Sequence, residues 1–436
     1  MAKKEINVGI IGFGTVGSGT ARILLENSAE LKKRTGLDIR LRRIADLDIS
    51  RDRGISLPSG ILTTDSNSVL NDPEIDIVVE LMGGIYPAKD FILQAIKNGK
   101  HIVSANKALL ATEGSDIFGA AADKGVEVGF EASVAGGIPI IKVIREGLVG
   151  NNIRTIFGII NGTSNYILTK MTDEKVEFGD ALKEAQRLGY AEADPTFDIE
   201  GIDTAHKMTI LSSLAYGIPL SFDQVYKEGI TRITAKDIDF ATELGYRIKL
   251  LAIAKAVDGE VEMRVHPTMV PNEYLISKIE GVYNAIYVDG DAAGSSLYYG
   301  RGAGDMPTGS AVVSDIVDIG RNIMAGGSAR LSGILTDGTK SVKKVRRMED
   351  IESMYYFRFA ALDQPGVLSK ISGILGNNNI SIASVIQKGR SEVASVPLVV
   401  LTHMAKERDV LKAVAEIDNL NVVSEKTLFI RVEGKQ

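Results

Sequence analysis

Residues 6 to 17 read INVGIIGFGTVG, an apolar run that ends in Gly12, Gly14 and Gly17 and passes at once into a helical pattern through Ala21, Leu24, Leu25 and Leu31. Strand, glycine turn and helix in this order constrain the first domain more than any other feature, because GxGxxG in that setting is a dinucleotide-binding turn. Gly12 permits the tight turn, Gly14 lets backbone approach a pyrophosphate, and Gly17 lets the helix pack closely with its N–H groups facing the anion. Further strands are expected at Asp38 to Ala45, Ile75 to Leu81, His101 to Ser104 and Val126 to Phe130, separated by segments of helical length. Such alternation favours a doubly wound parallel sheet of the Rossmann type. An acid at the end of the second strand is expected to meet the ribose hydroxyls, and Asp46 or Asp48 is available. Arg51 and Arg53 lie just beyond and could instead meet a 2′-phosphate, so NAD and NADP both stay open.

After Ser133 the pattern changes to longer strands around Ile153 to Ile160, Val261 to Val265 and Ala285 to Val288, with helices at Phe178 to Leu188 and Gly201 to Tyr216. This reads as a mixed-sheet α+β domain over residues 134–304. Residues 305–340, helical from Gly309, are expected to return to the first domain of residues 1–133. The basic stretch from Lys340 makes 341–354 a linker, and 355–436 follows βαββαβ order, a ferredoxin-like unit. A chain of 436 residues suits several cores. Its 50 basic residues against 56 acidic ones give a net charge of −6, which disfavours a nucleic-acid partner held by phosphate contacts. No cysteine is present, so thiol catalysis and thiolate metal sites are excluded. The start of the chain lacks a signal-peptide pattern and no apolar run approaches membrane-spanning length, so a cytoplasmic protein with no membrane partner is expected.

Three segments carry candidate chemistry. GYAEADPTFDIEGIDTAHK, residues 189 to 207, crowds Glu192, Asp194, Asp198, Asp203 and Lys207 around a helix start. With the helix beginning near Asp198, Asp203 and Lys207 share a face one turn apart, an arrangement that alone suits a surface ion pair equally well. Lys107, in Ser104-Ala105-Asn106-Lys107, lies at the carboxyl end of a predicted parallel strand, the edge where open α/β sheets bind ligands. Glu131 to Gly137 forms an acidic, glycine-rich turn whose carboxylate and carbonyls could ligate a hard cation or cap a helix. His101, His206, His266 and His403 show no zinc-ligand spacing.

The motifs GFGTVG, SANK, EASVAGGIPI (131 to 140), NGTSNYIL (161 to 168), the acidic segment at 189 to 207 and GRGAGDMPTG (300 to 309) together resemble homoserine dehydrogenase of the bacterial form with a C-terminal ACT domain. The resemblance covers nearly the whole chain. It implies reversible oxidation of homoserine to aspartate 4-semialdehyde with NADP or NAD. It implies active-site roles for Lys107 and Lys207, with Lys207 moving the proton and Lys107 polarising the carbonyl. Glu192 and Asp203 would hold the substrate's ammonium group, and Asp198 would support the polar network. Gly12, Phe13, Gly14, Thr15, Val16, Gly17, Asp46, Lys107, Gly189 and Gly304 would line the cofactor. Glu131, with the carbonyls of Val134, Gly136 and Ile138, would hold a monovalent cation such as sodium. DQPGVL at 363 to 368 and NNNISIASV at 377 to 385 resemble the ACT family, which implies an amino-acid effector, threonine, near Asp363, Gly366, Asn379 and Ile380. A homodimer or homotetramer is implied as well. Two other readings stand beside this one: another amino-acid or semialdehyde dehydrogenase on the same scaffold, and a catalytically silent nucleotide and amino-acid sensor. Phosphorylating aspartate-semialdehyde dehydrogenase is set aside because its chemistry needs a cysteine nucleophile.

Overall fold

The structure, a computed structural model, describes residues 5–330, 332–335, 343–387 and 395–434. The chain forms two compact units, 1–162 with 203–225 and 282–344, and 163–202 with 226–281 and 345–436.

In the first unit six strands form a wholly parallel sheet in the order β3-β2-β1-β4-β5-β6. They are β1 (Glu5–Ile11), β2 (Asp38–Ala45), β3 (Leu62–Thr63), β4 (Ile77–Glu80), β5 (His101–Ser104) and β6 (Val128–Gly129). The order reverses between β1 and β4, which opens a crevice at their carboxyl ends. The expected strand at Val126 to Phe130 shrinks to two residues, because the backbone turns into a short 3-10 helix at Glu131–Ser133. Ile6, Val8 and Ile10 of β1 are fully buried against the helix Thr15–Glu26 on one side and share a core with Val312 and Ile316 of the helix Asp305–Ala325. Those two helices touch backbone to backbone: a Cβ on Gly19 would strike the Asp305 carbonyl, and one on Gly309 would lie 2.8 Å from Gly19. The unit also holds an antiparallel set, Ile153–Ile159 beside Tyr283–Gly290 beside Gly294–Arg301, and the helix Ile202–Tyr216, which is buried on nearly every face.

The second unit is built on a long hairpin, Tyr246–Val257 paired with Glu260–Pro271. Asp258 and Gly259 turn it with φ of 52° and 80°, the two positive values that a two-residue Asp-Gly turn of type I′ requires. Glu260–Pro271 then pairs in parallel with Leu428–Val432, the last strand of a four-stranded antiparallel sheet. That sheet runs Leu428–Val432, Glu352–Leu362, Ser395–Thr402, Ile382–Gln387, which is order 4-1-3-2 of a βαββαβ unit. Helices Val367–Asn377 and Glu407–Ile417 cover it over a core that includes Tyr355, Phe357, Phe359, Ile371 and Val410. The seam between hairpin and unit is ionic as well as hydrogen-bonded. Arg431 donates to Glu407 Oε2 at 2.9 Å and to Glu228 at 2.7 Å, and Arg264 donates to Glu433 at 2.7 Å, with both guanidiniums fully buried. The predicted linker, where it is described, is anchored: Arg346 donates its N–H to the Val261 carbonyl at 2.8 Å and its Nε to Glu260 at 2.8 Å. The expected α/β, mixed-sheet and ferredoxin-like architecture is thus present, and no helix among the described residues is long and apolar enough to cross a membrane.

Candidate active site

The glycine turn has the shape a pyrophosphate needs. Gly12 takes φ +100°, and a Cβ there would lie 2.6 Å from the Leu81 carbonyl; one on Gly17 would strike the Gly12 oxygen. A Cβ on Gly14, the N-cap of the helix Thr15–Glu26, would meet nothing within 4 Å, so the turn is open on that side, where a helix N-terminus favours an anion. Thr15 and Val16 open that helix. Phe13 is buried, and its N–H donates to Asp46 Oδ2 at 2.5 Å. Asp46 follows β2 directly, where an acid meeting a ribose would stand, and Arg53 approaches its Oδ1 at 3.4 Å while its guanidinium lies 4.8 Å from the Phe13 ring centre. Gly304, at φ +127°, is the N-cap of the helix Asp305–Ala325.

Lys107 is the first residue of the helix Lys107–Lys124, which begins as β5 ends. The Asn106 side chain caps it by accepting the Leu109 N–H at 3.2 Å. Asp203 lies in the first turn of Ile202–Tyr216, and Lys207 stands one turn on. These three side chains meet. Lys107 Nζ is 3.1 Å from Asp203 Oδ1, and Lys207 Nζ is 2.6 Å from Oδ2. Asn161 Nδ2 donates to the same Oδ2 at 2.9 Å, and Lys207 also donates to the Ile160 carbonyl at 2.6 Å. Burial opposes charge on Asp203, but Lys207 and then Lys107 outweigh it and hold the carboxyl well below its ordinary range. Lys207 is buried, whereas 41% of the Lys107 side chain remains exposed.

The helix does not start near Asp198. A short turn, Thr196–Ile199, ends there, and Gly201 at φ +76° separates it from Ile202–Tyr216. Asp194 accepts the Thr196 N–H at 3.1 Å and hydroxyl at 2.6 Å, an ordinary Asx turn just before the short helix. Gly189, Glu192 and Asp198 belong to the second unit. There Gly189 takes φ +75°, Glu192 is exposed with its carbonyl accepting from Gln186 at 3.1 Å, and the Asp198 carbonyl accepts from Ser164 at 2.9 Å.

Glu131 is a cap as well. Its carboxylate accepts the N–H groups of Ile141 at 2.8 Å and Lys142 at 2.9 Å, while its own N–H donates to Asp315 at 2.8 Å. Burial, with the Asp315 charge added, pushes its carboxyl up to about 7, and burial pushes Asp315 up to about 6 against the pull of Lys142. Val134 and Ile138 are buried in the same loop, Gly136 turns at φ +51°, and the Ile138 carbonyl accepts the Ile140 N–H at 2.8 Å. In the C-terminal unit Gly366, at φ +85°, caps the helix Val367–Asn377, and Asp363 accepts from Gln387 at 3.2 Å. Asn379 turns at φ +59°, and Ile380 packs into the core.

Family models match three consecutive stretches: the NAD-binding domain of homoserine dehydrogenase over residues 12–131, homoserine dehydrogenase over 139–317 and the ACT domain over 355–422. The chain is 48% identical to homoserine dehydrogenase of Pseudomonas aeruginosa over 434 residues, covering 99% of each. A solved homoserine dehydrogenase from Thiobacillus denitrificans is 49% identical with a TM-score of 0.92, covering 99% of this chain and 98% of that one.

The chain belongs to the homoserine dehydrogenase family.

It is accordingly an NAD(P)-dependent oxidoreductase acting on a CH–OH group. A hyperthermophilic archaeal homoserine dehydrogenase mutant solved in complex with NADPH is 27% identical with a TM-score of 0.60, covering 72% of this chain and 97% of that one. Within the homoserine dehydrogenase fold, the helix spacing signalled the Asp203–Lys207 pair, but nothing local announced that Lys107 shares its carboxylate. Asn161 was missed as a partner of Asp203, although it opens the NGTSNYIL motif.

Proposed function

We propose that Asp203 holds Lys107 and Lys207 together for the reversible interconversion of L-homoserine and L-aspartate 4-semialdehyde. The observation that carries this reading is the pair of ammonium groups on opposite oxygens of one buried carboxylate, at the carboxyl edge of the nucleotide-binding sheet. Oxidation removes a hydride from the carbinol carbon and a proton from its oxygen. A nicotinamide coenzyme, with its pyrophosphate held by the residues of the glycine turn, would supply the hydride acceptor. Lys207 receives the hydroxyl proton and returns it in reduction. Lys107 stabilises charge developing on the oxygen. Because both Asp203 oxygens already carry ammonium groups, we assign that residue to orienting the lysines, and the substrate's ammonium group to Glu192, with Asp198 in support. Gly189 and Gly304 complete the cofactor lining in this reading.

Either NAD or NADP suits the Asp46 and Arg53 arrangement, and coenzyme kinetics decide between them. A monovalent cation such as sodium is held by Glu131 with the carbonyls of Val134, Gly136 and Ile138, the carboxylate keeping lone pairs beyond those that accept the Ile141 and Lys142 N–H groups. The ACT unit takes threonine as inhibitor near Asp363, Gly366, Asn379 and Ile380. The enzyme works in the cytoplasm as a dimer or tetramer, and the domain limits given from the sequence belong to the same reading. Nicotinamide absorbance with L-homoserine tests the activity: wild type reduces the coenzyme and Lys207→Met does not. Full activity in that variant defeats the assignment. Threonine titration of full-length wild type and Asp363→Ala tests the effector; equal inhibition of both removes Asp363 from the effector site.

A further inference from the structure

Glu80 ends β4 with its side chain 1% exposed, and no step above uses it. Its two oxygens are divided between neighbours. Oε1 accepts the Met82 N–H at 2.8 Å, and Oε2 accepts the Ser104 hydroxyl at 2.7 Å. Ser104, fully buried at the end of β5, accepts the Asn106 N–H at 3.0 Å through the same oxygen. Asn106 in turn donates its side-chain amide to the Gly84 carbonyl at 2.6 Å and caps the helix whose first residue is Lys107. The loop after β4 also backs the glycine turn, since Gly12 has room only for a hydrogen against Leu81 and Met82.

One buried carboxylate therefore fixes the loop behind the dinucleotide turn and, through Ser104 and Asn106, the start of the Lys107 helix. These donors are neutral. Burial raises the Glu80 carboxyl above its ordinary value, so keeping an acid at this place has a cost that plain packing would avoid. A buried polar chain in which each member is satisfied fixes geometry more tightly than apolar packing of the same volume. We infer that Glu80 is a positioning residue for the reaction, holding Lys107 in register with the dinucleotide turn through Ser104 and Asn106. This rests on the role proposed for Lys107.

The test compares Glu80→Ala, Glu80→Gln and Lys107→Met in the full-length enzyme, with coenzyme binding and melting temperature measured beside steady-state kinetics. Glu80→Ala is expected to lower kcat by about tenfold to a hundredfold, the scale of an ångström-sized misplacement, while KM for homoserine stays within about threefold. Glu80→Gln keeps an acceptor for one of the two donors, Met82 N–H or Ser104 O–H, and turns an amide N–H toward the other, so its kcat is expected to fall between wild type and Glu80→Ala. Placed on Lys107→Met, Glu80→Ala is expected to lower kcat no further at saturating coenzyme, because its effect on the chemical step runs through Lys107. A normal kcat per folded enzyme in Glu80→Ala, with only the melting temperature lowered, overturns the inference. A Glu80→Gln variant with kcat no better than Glu80→Ala, or an additive loss of kcat on the Lys107→Met background at saturating coenzyme, overturns it too. Where Glu80→Ala does not fold, Ser104→Ala breaks the same chain one link later and is judged by the same split. An undiminished kcat in Lys107→Met instead refutes the proposed role of Lys107, a result distinct from any of these.

Discussion

Asp203 and Asp315 are both nearly inaccessible aspartates of the first unit with a lysine nearby, yet their ionisation is driven in opposite directions. Asp203 has ammonium nitrogens at 2.6 and 3.1 Å, and its carboxyl falls well below the ordinary range. Asp315 has Lys142 at 3.7 Å, and that ammonium is hydrogen-bonded to the Ser314 hydroxyl at 2.7 Å. Burial then prevails at Asp315, and Glu131 beside it rises further. Distance and the number of counter-ions decide the outcome, because the loss of hydration is similar at both sites. Around Asp203 the fold stores separated charge, which proton transfer and carbonyl polarisation require. Around Asp315 it stores groups that are easily neutralised, as suits a joint between the Glu131 loop and the helix Asp305–Ala325.

The largest effect that separates the two sites is catalytic. Lys207→Met is expected to cut turnover by at least about a hundredfold, the usual scale for loss of a general acid or base, whereas Lys142→Met leaves turnover at the wild-type level. Steady-state turnover with L-homoserine checks this, and a wild-type turnover in Lys207→Met would move the role to another group.

Asp203→Asn comes next. It leaves two ammonium groups without their shared anion, and breaking a buried pair costs about 3–5 kcal/mol, so both turnover and the denaturant midpoint are expected to fall. A normal midpoint would mean that the lysines find other partners.

The pH dependence of stability sharpens the contrast. The Asp203 contribution is fully present above its ordinary value near 3.8 and is lost as pH falls toward its depressed folded value. Glu131 and Asp315 work the other way: their folded values of about 7 and 6 lie above ordinary values of 4.5 and 3.8, so stability from them declines as pH rises between those limits. Urea unfolding at pH 5 and pH 8 is expected to show a smaller decline in Asp315→Asn than in wild type; an equal decline would show that this pair does not govern it. The smallest expected change is the stability of Lys142→Met, about 1 kcal/mol or less, because its carboxylate contacts are long.

Local rules made part of this legible. GFGTVG declares its strand, turn and helix because each glycine answers a steric demand within a few residues. Asp-Gly at 258 and 259 declares a hairpin for the same reason. Helical periodicity placed Asp203 and Lys207 together, the end of a parallel strand singled out Lys107, and resemblance to a family joined them in one site. Periodicity gave the helix from Gly201 to Tyr216, but the start placed near Asp198 ran it across Gly201, whose positive φ separates the turn Thr196–Ile199 from the catalytic helix. Nor could it tell whether the Glu131 carboxylate faced a cation or the N–H groups of Ile141 and Lys142, because either use puts an acid in a glycine-rich turn. Glu80 left one faint trace, an acid closing the apolar run IDIVVE.

The backbone contact between Gly19 and the Asp305 to Gly309 turn has a consequence for synthesis. The nucleotide-binding sheet is made early, but the helix that closes its core is translated only after the intervening chain. At roughly 5–20 residues per second the nascent chain carries the bare face of Thr15–Glu26 for on the order of tens of seconds. Until Asp305–Ala325 emerges, Ile6, Val8 and Ile10 lack part of their cover, and the growing polypeptide presents an apolar surface that a ribosome-associated chaperone would recognise.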